Sequence, residues 1–483
     1  MLDKNTIYAI TIIAAGFLAR LVNITKPILE VAMWRQCDTA SIARNFYYNG
    51  MNIFYPQVMQ GGATEGYIGG TEFQIYPFTV AILYQIFGVH EYLGRLVSIL
   101  AFCGGAFFLF RLSSKYVSKA SSLIALLFYT FNPYIFFYSR SFQPDSSMLF
   151  FSIAMLYFFS EWIDKGKWWR FVLMTLFATL AFLTKLPTVC LGLPLLYLCL
   201  RKYKINFIIQ WKLWLFAALS LTVTFLWYKY SYYLATLNGL TFEKFRLTSF
   251  STFLDSFFYK RVFFTAVFEK VLIYVGPLFL VLGIIITIKK KELRFVHYWL
   301  LAIIIFFFIG AYKVIAHTYY TIPIVAPASI LIGYTISNSL KLITAYRIAG
   351  VKRVVLMVLY IMLITSLPII SYHKITSRYN AKRMAKDYPI YKVGKVVDEI
   401  IPKNDLVIGC LWGGPQILYY SNRRGWTMGT YGCSVKSIED LRRKGANYFV
   451  TTAQDEIDGS VLDYLKNKYE TIRSTNEYLI VKL

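Results

Sequence analysis

The sequence predicts a polytopic all-α membrane domain followed by a small α/β domain. Three observations support this fold class. The 483-residue chain is 57% hydrophobic and only 16% charged, whereas soluble domains carry about 25% charged residues. Apolar runs long enough to cross a membrane recur as far as residue 371. After residue 374 the pattern changes to alternating helix and strand signals.

The net charge of +26 does not indicate nucleic-acid binding, because the basic residues collect in short loops between the apolar runs. Loops rich in lysine and arginine stay on the cytoplasmic side of a membrane. The charge therefore predicts the orientation of the chain, together with contacts to anionic lipid.

The alternation of basic loops and apolar runs predicts eleven transmembrane helices, with a cytoplasmic N-terminus and an external tail. We place them near residues 7–23, 92–111, 120–138, 146–163, 170–185, 187–200, 212–230, 267–288, 296–311, 319–338 and 354–371. The first run is followed by NITKP and not by a small-residue cleavage site, which predicts a retained helix.

The chain divides into a transmembrane domain, residues 1–373, and an external domain, residues 374–483. The first external loop, residues 24–91, belongs to the former. In the tail we predict helices at YKVGKVVDEI, SVKSIEDLRRKG and SVLDYLKNKY, and strands at DLVIGC, NYFVTT and YLIVKL. A domain of this size can bury its own core, and we expect it to cap the external face. The sequence does not decide whether Cys410 and Cys433 pair.

The segment AMWRQCDTASIARNFYYNG follows the first apolar run and predicts a helix that lies in the membrane surface. Ile42, Ala43, Phe46 and Tyr47 follow helical spacing on one face. Asp38 precedes its first turn, where a carboxylate can cap free backbone N–H groups. It can equally be a functional carboxylate at the boundary of lipid and water, and both interpretations stay open.

Two further acids open apolar segments on the same side. Glu72 stands at the start of an apolar segment of about 14 residues, too short to span comfortably, which predicts a second surface helix. Asp145 begins the fourth span in SRSFQPDSSMLFF. The alternative roles are favourable helix-dipole placement for Glu72 and N-capping for Asp145. Three acids at one depth suit sugar transfer, because a base must take the proton from the acceptor hydroxyl.

Two more segments on this side place a cation or aromatic residues at the end of an apolar run. Lys185 in LTKLP lies near the end of an apolar run, where a charge is either functional or extends to the interface. The motif AHTYYTIP contains His317, Tyr319 and Tyr320, which form either an aromatic belt with an incidental histidine or part of the same site. Cations and hydroxyls can stabilise a phosphate leaving group.

The order of these segments resembles the integral-membrane glycosyltransferases of the GT-C fold. Within that fold it is most similar to the group that contains protein O-mannosyltransferases and the aminoarabinose transferase that modifies lipid A. The resemblance covers the membrane part and, more weakly, the tail. The matching segments are WRQCDTASIARNFYYNG, TEFQIYPFTVAILYQIFGVHEYLGRLVSIL, RSFQPDSSMLFF, FATLAFLTKLPTVCLGLPLLY and HTYYTIPIVAPASILIG.

The resemblance implies a GT-C-like membrane domain and a role for each candidate residue. Asp38 stands at the family's first-loop acid, which acts as the general base. Glu72 matches the acid that opens the second surface helix, and Asp145 matches an acid near the site. Lys185 and Tyr320 match positions near the lipid phosphate.

Two positions depart from the family pattern. Thr39 stands where members often have a second acid, and Phe73 stands where some carry a lysine. We therefore assign a replacement phosphate contact to Arg246 in EKFRL. A divalent metal ion can bridge Asp38 or Glu72 to the phosphate, although no spacing of His and Asp demands one and the sequence requires no cofactor.

The leading hypothesis is an inverting glycosyltransferase that moves a sugar from a polyprenyl-phosphate donor to an acceptor glycan, lipid or protein at the external face. The alternatives are a transporter or flippase of lipid-linked sugars, or a polysaccharide ligase or polymerase. A transporter typically shows internal repeats and charges at the midplane of the membrane, which are not clear here. The expected partners are donor, acceptor and membrane lipids, not nucleic acid, and the expected location is a bacterial inner membrane.

Overall fold

Helices make up the described chain as far as Arg378, and a five-stranded sheet with four helices follows in the tail. The computed structural model describes residues 3–30, 32–238, 240, 248–345, 351–378 and 388–483. The helices before the tail are α1 Lys4–Leu21, α2 Met33–Asn49, α3 Ile75–Phe87, α4 Glu91–Ser113, α5 Lys119–Phe131, α6 Pro133–Tyr138, α7 Asp145–Lys165, α8 Trp168–Thr184, α9 Gly192–Tyr203, α10 Trp211–Asn238, α11 Ser256–Tyr259, α12 Gly276–Thr287, α13 Arg294–Ile309, α14 Ala311–Ala316, α15 Val325–Ala345 and α16 Val351–Arg378.

The tail contains helices α17 Tyr388–Ile400, α18 Gln416–Ser421, α19 Val435–Arg443 and α20 Gly459–Lys468. Its strands are β1 Leu406–Leu411, β2 Gly425–Gly429, β3 Ala446–Thr451, β4 Glu470–Ser474 and β5 Leu479–Lys482. Short 3-10 helices occur at Leu186–Leu191, Lys204–Ile209, Phe250–Phe253, Lys291–Leu293, Thr318–Ile324, Thr430–Gly432 and Gln454–Glu456, and a π-helix at Lys260–Val271.

The predicted membrane spans all contain helices, but their count of eleven is not confirmed. Among the described residues, six helices are long and apolar enough to cross a membrane, or seven if a bent pair counts as one span. That pair, Ser256–Val271 and Gly276–Thr287, is bent by 101°. Others, such as α5 and α8, are shorter than the roughly 20 residues that a span normally needs.

Helix α7 connects the two ends of the helical part. Of the six long apolar helices it is the most buried, and it packs between α4 and α8. Its 21 residues extend over about 31 Å at 1.5 Å per residue. Asp145 begins the helix at one end. At the other end, Glu161 and Asp164 lie among the basic residues of the short loops, with Lys115 bound to both acids.

Helices α2 and α3 form in the first long loop as predicted, but α2 is not an amphipathic surface helix. Most of its residues from Gln36 to Phe46 are buried, including the polar ones. Helix α3 packs against it, and α18 of the tail contacts it as well. An exposed polar face was expected because the sequence does not reveal that the tail covers this helix.

The tail sheet has the strand order β2-β1-β3-β5-β4. Strand β1 is parallel to β2 and β3, and β5 pairs antiparallel with β3 and β4. Each predicted helix and strand of the tail is present, and a small C-terminal α/β unit is therefore confirmed. Cys410 and Cys433 are buried free thiols. Their side chains are in hydrogen-bond contact.

Candidate active site

Asp38 lies in the second turn of α2 and not before its first turn, so the predicted N-cap role is wrong. The helix begins at Met33, and its N-cap, Ala32, makes no side-chain capping bond. The Asp38 side chain is fully buried. Its Oδ1 accepts a hydrogen bond of 2.9 Å from Gln60 Nε2, and its Oδ2 has no hydrogen-bond partner.

Burial raises the pKa of Asp38 from 3.8 to about 7, because the charged carboxylate loses its hydration. Arg35, one turn earlier on α2, and the bond from Gln60 both act in the opposite direction, and burial outweighs them. A carboxyl with a pKa near neutrality can take up and release a proton at the pH of the cell.

Glu72 forms an ion pair with Arg35. It lies three residues before α3, which begins at Ile75, so it does not open that helix as predicted. The loop around it is fixed by backbone bonds, since Phe73 N donates to Leu183 O at 2.9 Å. Its contact with Arg35 joins this loop to α2, and Arg35 in turn interacts electrostatically with Asp38.

Asp145 and Lys185 form a second, deeply buried ion pair, with 2.6 Å between Oδ1 and Nζ. Asp145 is the first residue of α7, but Pro144 holds the N-cap position and Asp145 makes no capping bond there. Lys185 ends α8. Its Nζ lies 4.7 Å from the ring centres of both Tyr319 and Tyr320. The structure thus brings Asp145, Lys185 and Tyr320 together.

The segment that begins at His317 lies against this cluster. The ring centres of Trp34, at the start of α2, and His317 are 5.5 Å apart. Burial, and then the charges of Arg35, Lys185 and Lys313, lower the pKa of His317 to about 4. Burial and the two neighbouring cations also lower the pKa of Lys313 to about 8. Such a positive field favours an anion in this pocket.

A narrow apolar cavity extends into the helical part from the cation cluster, which consists of Arg35, Lys185 and Lys313. Lys185, Tyr319 and Tyr320 lie at its lining, and α7, α13 and the 3-10 helix Leu186–Leu191 supply most of the rest. The apolar residues that line it are Met148, Leu149, Ile153, Pro187, Leu191, Trp299, Ile303, Phe306 and Pro323. The apolar lining with Lys185 at its edge is chemically suited to a hydrocarbon chain that carries an anionic head.

The remaining candidate groups are less well placed or lie outside the described residues. Arg246 belongs to the latter. Within the described ranges, no group of three or more His, Cys, Asp or Glu side chains is arranged to hold a metal ion. Of the two acids that we considered as bridging ligands, Glu72 pairs with Arg35, and Asp38 accepts from Gln60 through one of its two oxygens.

Sequence reasoning missed three residues of this site. Arg35 was visible in the opening segment but received no role. Lys313 follows an apolar run, as Lys185 does, and the same argument about a charge at the end of a span would have found it. Gln60 lies in a loop with no periodic pattern, and no sequence signal pointed to its contact with Asp38.

Fold and site define a polytopic membrane protein in which a charged pocket lies at the end of an apolar cavity. Residues 75–230 match the family described as dolichyl-phosphate-mannose-protein mannosyltransferase. This region runs from the start of α3 into α10. It contains Asp145 and Lys185, whereas Asp38 and Tyr320 lie outside it. An uncharacterized protein of Aquifex aeolicus (strain VF5) is 33% identical over 107 residues, which are 22% of this chain and 24% of that protein.

Three solved structures, of two proteins, share the fold over most of the chain. ArnT from Cupriavidus metallidurans in the apo state has a TM-score of 0.71 at 14% identity, covering 99% of this chain and 98% of that one. Its complex with undecaprenyl phosphate gives 0.66 at 13% identity. The Archaeoglobus fulgidus oligosaccharyltransferase gives 0.63 at 10% identity, covering 92% of this chain and 69% of that one. The resemblance to the GT-C fold is therefore confirmed.

Proposed function

We propose that this protein is a glycosyltransferase that moves a sugar from a polyprenyl-phosphate donor to an acceptor glycan, lipid or protein. One observation carries the proposal. A buried carboxyl with a free oxygen, Asp38, lies beside a cation cluster, and that cluster stands at the end of an apolar cavity. The similarity to the mannosyltransferase family and to ArnT bound to undecaprenyl phosphate supports it.

The donor phosphate binds between Lys185, Arg35 and Lys313. A phosphate diester is an anion, and these three cations already depress the pKa of His317. The polyprenyl chain extends from there into the apolar cavity. The Tyr320 hydroxyl is a further donor for the phosphate. Arg246, outside the described residues, remains our proposed additional contact.

Asp38 acts as the general base. Its free Oδ2 accepts the proton of the acceptor hydroxyl while the hydroxyl oxygen attacks the anomeric carbon. The bond from that carbon to the phosphate oxygen breaks, and polyprenyl phosphate leaves with the electron pair. Attack from the face opposite the phosphate inverts the anomeric centre. The cations stabilise the negative charge that grows on the leaving group.

Glu72 and Asp145 hold cations and do not act as bases. Each is engaged in an ion pair, Glu72 with Arg35 and Asp145 with Lys185. These pairs fix the two cations in position before the donor arrives, which lowers the cost of ordering them during transfer.

The experiment that tests this function is turnover of Asp38→Asn. Mass spectrometry of envelope glycans with and without the protein first identifies the sugar, and the purified chain in nanodiscs is then assayed with the matching undecaprenyl-phosphate donor. Loss of a general base typically costs about 10²–10⁴-fold in rate, and we expect that loss with nearly normal binding of undecaprenyl phosphate. Nearly full turnover would exclude Asp38 as the base.

For the orientation, we propose a cytoplasmic N-terminus and an external tail in a bacterial inner membrane. The basic loops support this, because such loops stay in the cytoplasm. Lys444 in the tail and Lys291 in a basic loop are both exposed. An impermeant thiol reagent applied to intact spheroplasts should label Lys444→Cys and leave Lys291→Cys unlabelled. The reverse pattern would invert the topology.

A further inference from the structure

A short stretch of the first long loop joins the sheet of the tail. Gln60 forms a parallel bridge with Gly425 at the start of β2. Gly425 N donates to Met59 O at 3.1 Å, and Gly62 N donates to Gly425 O at 2.8 Å. The stretch thus adds to the outer edge of β2, which would otherwise present unpaired backbone groups.

The ring of Trp426 fixes this junction from the side of the tail. It packs so closely on Gly62 that a Cβ there would lie 2.2 Å from the ring. Gly62 also has a φ of +61°, which favours glycine. Loop and tail are therefore complementary in shape at this point. The contact is lost if residue 62 is larger than glycine or if residue 426 has no ring.

The side chain of Gln60 connects the junction to Asp38. Its Nε2 donates to Asp38 Oδ1 at 2.9 Å, and its Oε1 lies 3.5 Å from Thr427 Oγ1 of β2. An ionised carboxylate only accepts hydrogen bonds, so the amide must turn its NH2 group towards Asp38. The Thr427 hydroxyl donates to the amide oxygen and favours the same orientation.

The tail also holds the helix that carries Asp38. Arg44 Nη2 on α2 donates to Tyr419 O of α18 at 2.8 Å, and the guanidinium lies 4.5 Å from the Tyr419 ring centre. The Tyr420 hydroxyl is 2.8 Å from Ile28 N, just before α2. Carboxylate and amide are thus anchored to the same domain by separate contacts.

We propose that the C-terminal domain positions the catalytic carboxylate: β2 holds the loop at Gln60, and Gln60 holds Asp38 with its Oδ2 free. The proposal rests on the function proposed for Asp38. Gln60 is a positioning residue, because it touches the carboxylate and not the reacting atoms. The domain is then part of the active site and more than a cover over it.

Asp38 interacts electrostatically with Arg35 and with the neighbouring Cys37, both on α2. Glu72, before α3, pairs with Arg35. The groups that surround Cys37 and its neighbours are Arg44 on α2, Tyr84 on α3, Glu91 on α4, and Tyr419 and Tyr420 on α18. Arg35 favours the ionised form of Asp38, as the hydrogen bond from Gln60 does. When Gln60 is replaced, Arg35 is therefore the group that still favours the ionised form of Asp38.

The test follows the carboxyl band of Asp38 by infrared difference spectroscopy of the full chain in nanodiscs, with Asp38→Asn to identify the band. Gln60→Met keeps the length of the side chain and removes the donor. Trp426→Ala loosens the junction without touching Asp38, and Trp426→Phe keeps a ring on Gly62. Trp412→Ala is the matched control, since this half-exposed tryptophan follows β1 and bonds to Glu456.

In Gln60→Met we expect the proton affinity of Asp38 to rise about tenfold. This is the effect of losing one hydrogen bond to the charged carboxylate. Trp426→Ala should shift the band in the same direction by a smaller amount, with Trp426→Phe and Trp412→Ala close to wild type. Binding of undecaprenyl phosphate, measured on the same samples, should be unchanged, because the cation cluster is not altered.

Three results would overturn the proposal. An unchanged band in Gln60→Met excludes the amide, and an unchanged band in Trp426→Ala excludes the tail. An equal shift in Trp412→Ala means that the whole domain has loosened. The spectra need no substrate, so they remain decisive if Asp38→Asn keeps its turnover. In that case it is the function proposed for Asp38 that fails.

Discussion

The two ends of helix α7 both carry ion pairs, but in opposite settings. At the first end Asp145 and Lys185 form one pair whose side chains are 2% and 9% exposed. At the other end Glu161 contacts three cations, Lys115, Lys165 and Arg170, and the lysine tips reach solvent. One helix thus begins at a single buried pair and ends at a cluster of charges in which a largely buried acid, Glu161, meets cations up to the half-exposed Lys165.

The difference in burial between the two ends separates ion pairs of little energetic consequence from a pair whose burial calls for an explanation. Ion pairs with a solvent-exposed partner contribute little to stability, and at the basic end Lys165 forms such a pair with Glu161. The desolvation of a buried pair can cost more than its attraction returns, so stability alone does not account for Asp145 and Lys185. Under the proposed function, the pair holds Lys185 in place for the donor phosphate.

Lys185→Met should have the largest effect. It removes one partner of the buried pair and leaves Asp145 as an uncompensated charge, which costs about 3–5 kcal/mol of unfolding free energy. It also removes a cation from the phosphate pocket, and binding of undecaprenyl phosphate should fall. Thermal unfolding in detergent and binding of undecaprenyl phosphate in nanodiscs measure the two effects separately.

The double variant Lys185→Met/Asp145→Asn separates stability from binding. It removes both charges, so the unfolding temperature should return most of the way to wild type while lipid-phosphate binding stays weak. Recovery of binding in the double variant would show that Lys185 holds Asp145 and not the phosphate.

Asp38→Asn should stabilise the protein at alkaline pH. Asp38 has a pKa of about 7 in the fold and 3.8 as its ordinary value, so the folded chain binds more protons than the unfolded chain between these values. Wild type therefore loses stability as the pH rises from about 4 to about 7, and asparagine does not. We expect a gain of roughly 2–4 kcal/mol at pH 8.

The measurement is the unfolding temperature of both proteins at pH 5 and pH 8. The gap should grow with pH. His317, whose low pKa gives stability that is lost as the pH falls from 6.5 to about 4, is common to both and cancels. A gap that is the same at both pH values would mean that Asp38 is not held with a raised pKa.

Lys165→Ala, at the basic end of α7, should have the smallest effect. Lys165 is about half exposed and shares Glu161 with Lys115 and Arg170. An exposed pair of this kind is worth less than about 1 kcal/mol. Thermal unfolding should change little, and lipid-phosphate binding should not change. A loss as large as that of Lys185→Met would remove the contrast between the two ends.

Much of the fold follows from local patterns in the sequence. Apolar runs predicted the helices of the membrane part, and alternation predicted β1, β3 and β5 in the tail. Strand β2, GWTMG, was missed because glycines flank it and no alternation shows. Strand β4 was missed because it is an exposed edge. The span count of eleven is not confirmed, because helices such as α5 and α8 are shorter than a span normally needs.

The charged residues of the site that lie next to apolar runs could be predicted from the sequence. Asp145 and Lys185 stood out at the ends of apolar runs, and the structure pairs them. Asp38 was found by its position after the first span, yet its setting was not, because the groups that bury it come from the tail. Gln60 was invisible for the same reason, since its partner Thr427 lies 367 residues away.

That separation sets the moment at which the junction between loop and tail can form during synthesis of the chain. Chains grow at about 5–20 residues per second, so roughly 20 to 70 seconds pass between Gln60 and Thr427. Until then the Gln60 amide is present but lacks its support from β2. Under the function proposed above, we expect a chain that ends before Thr427 to bind undecaprenyl phosphate without transferring a sugar.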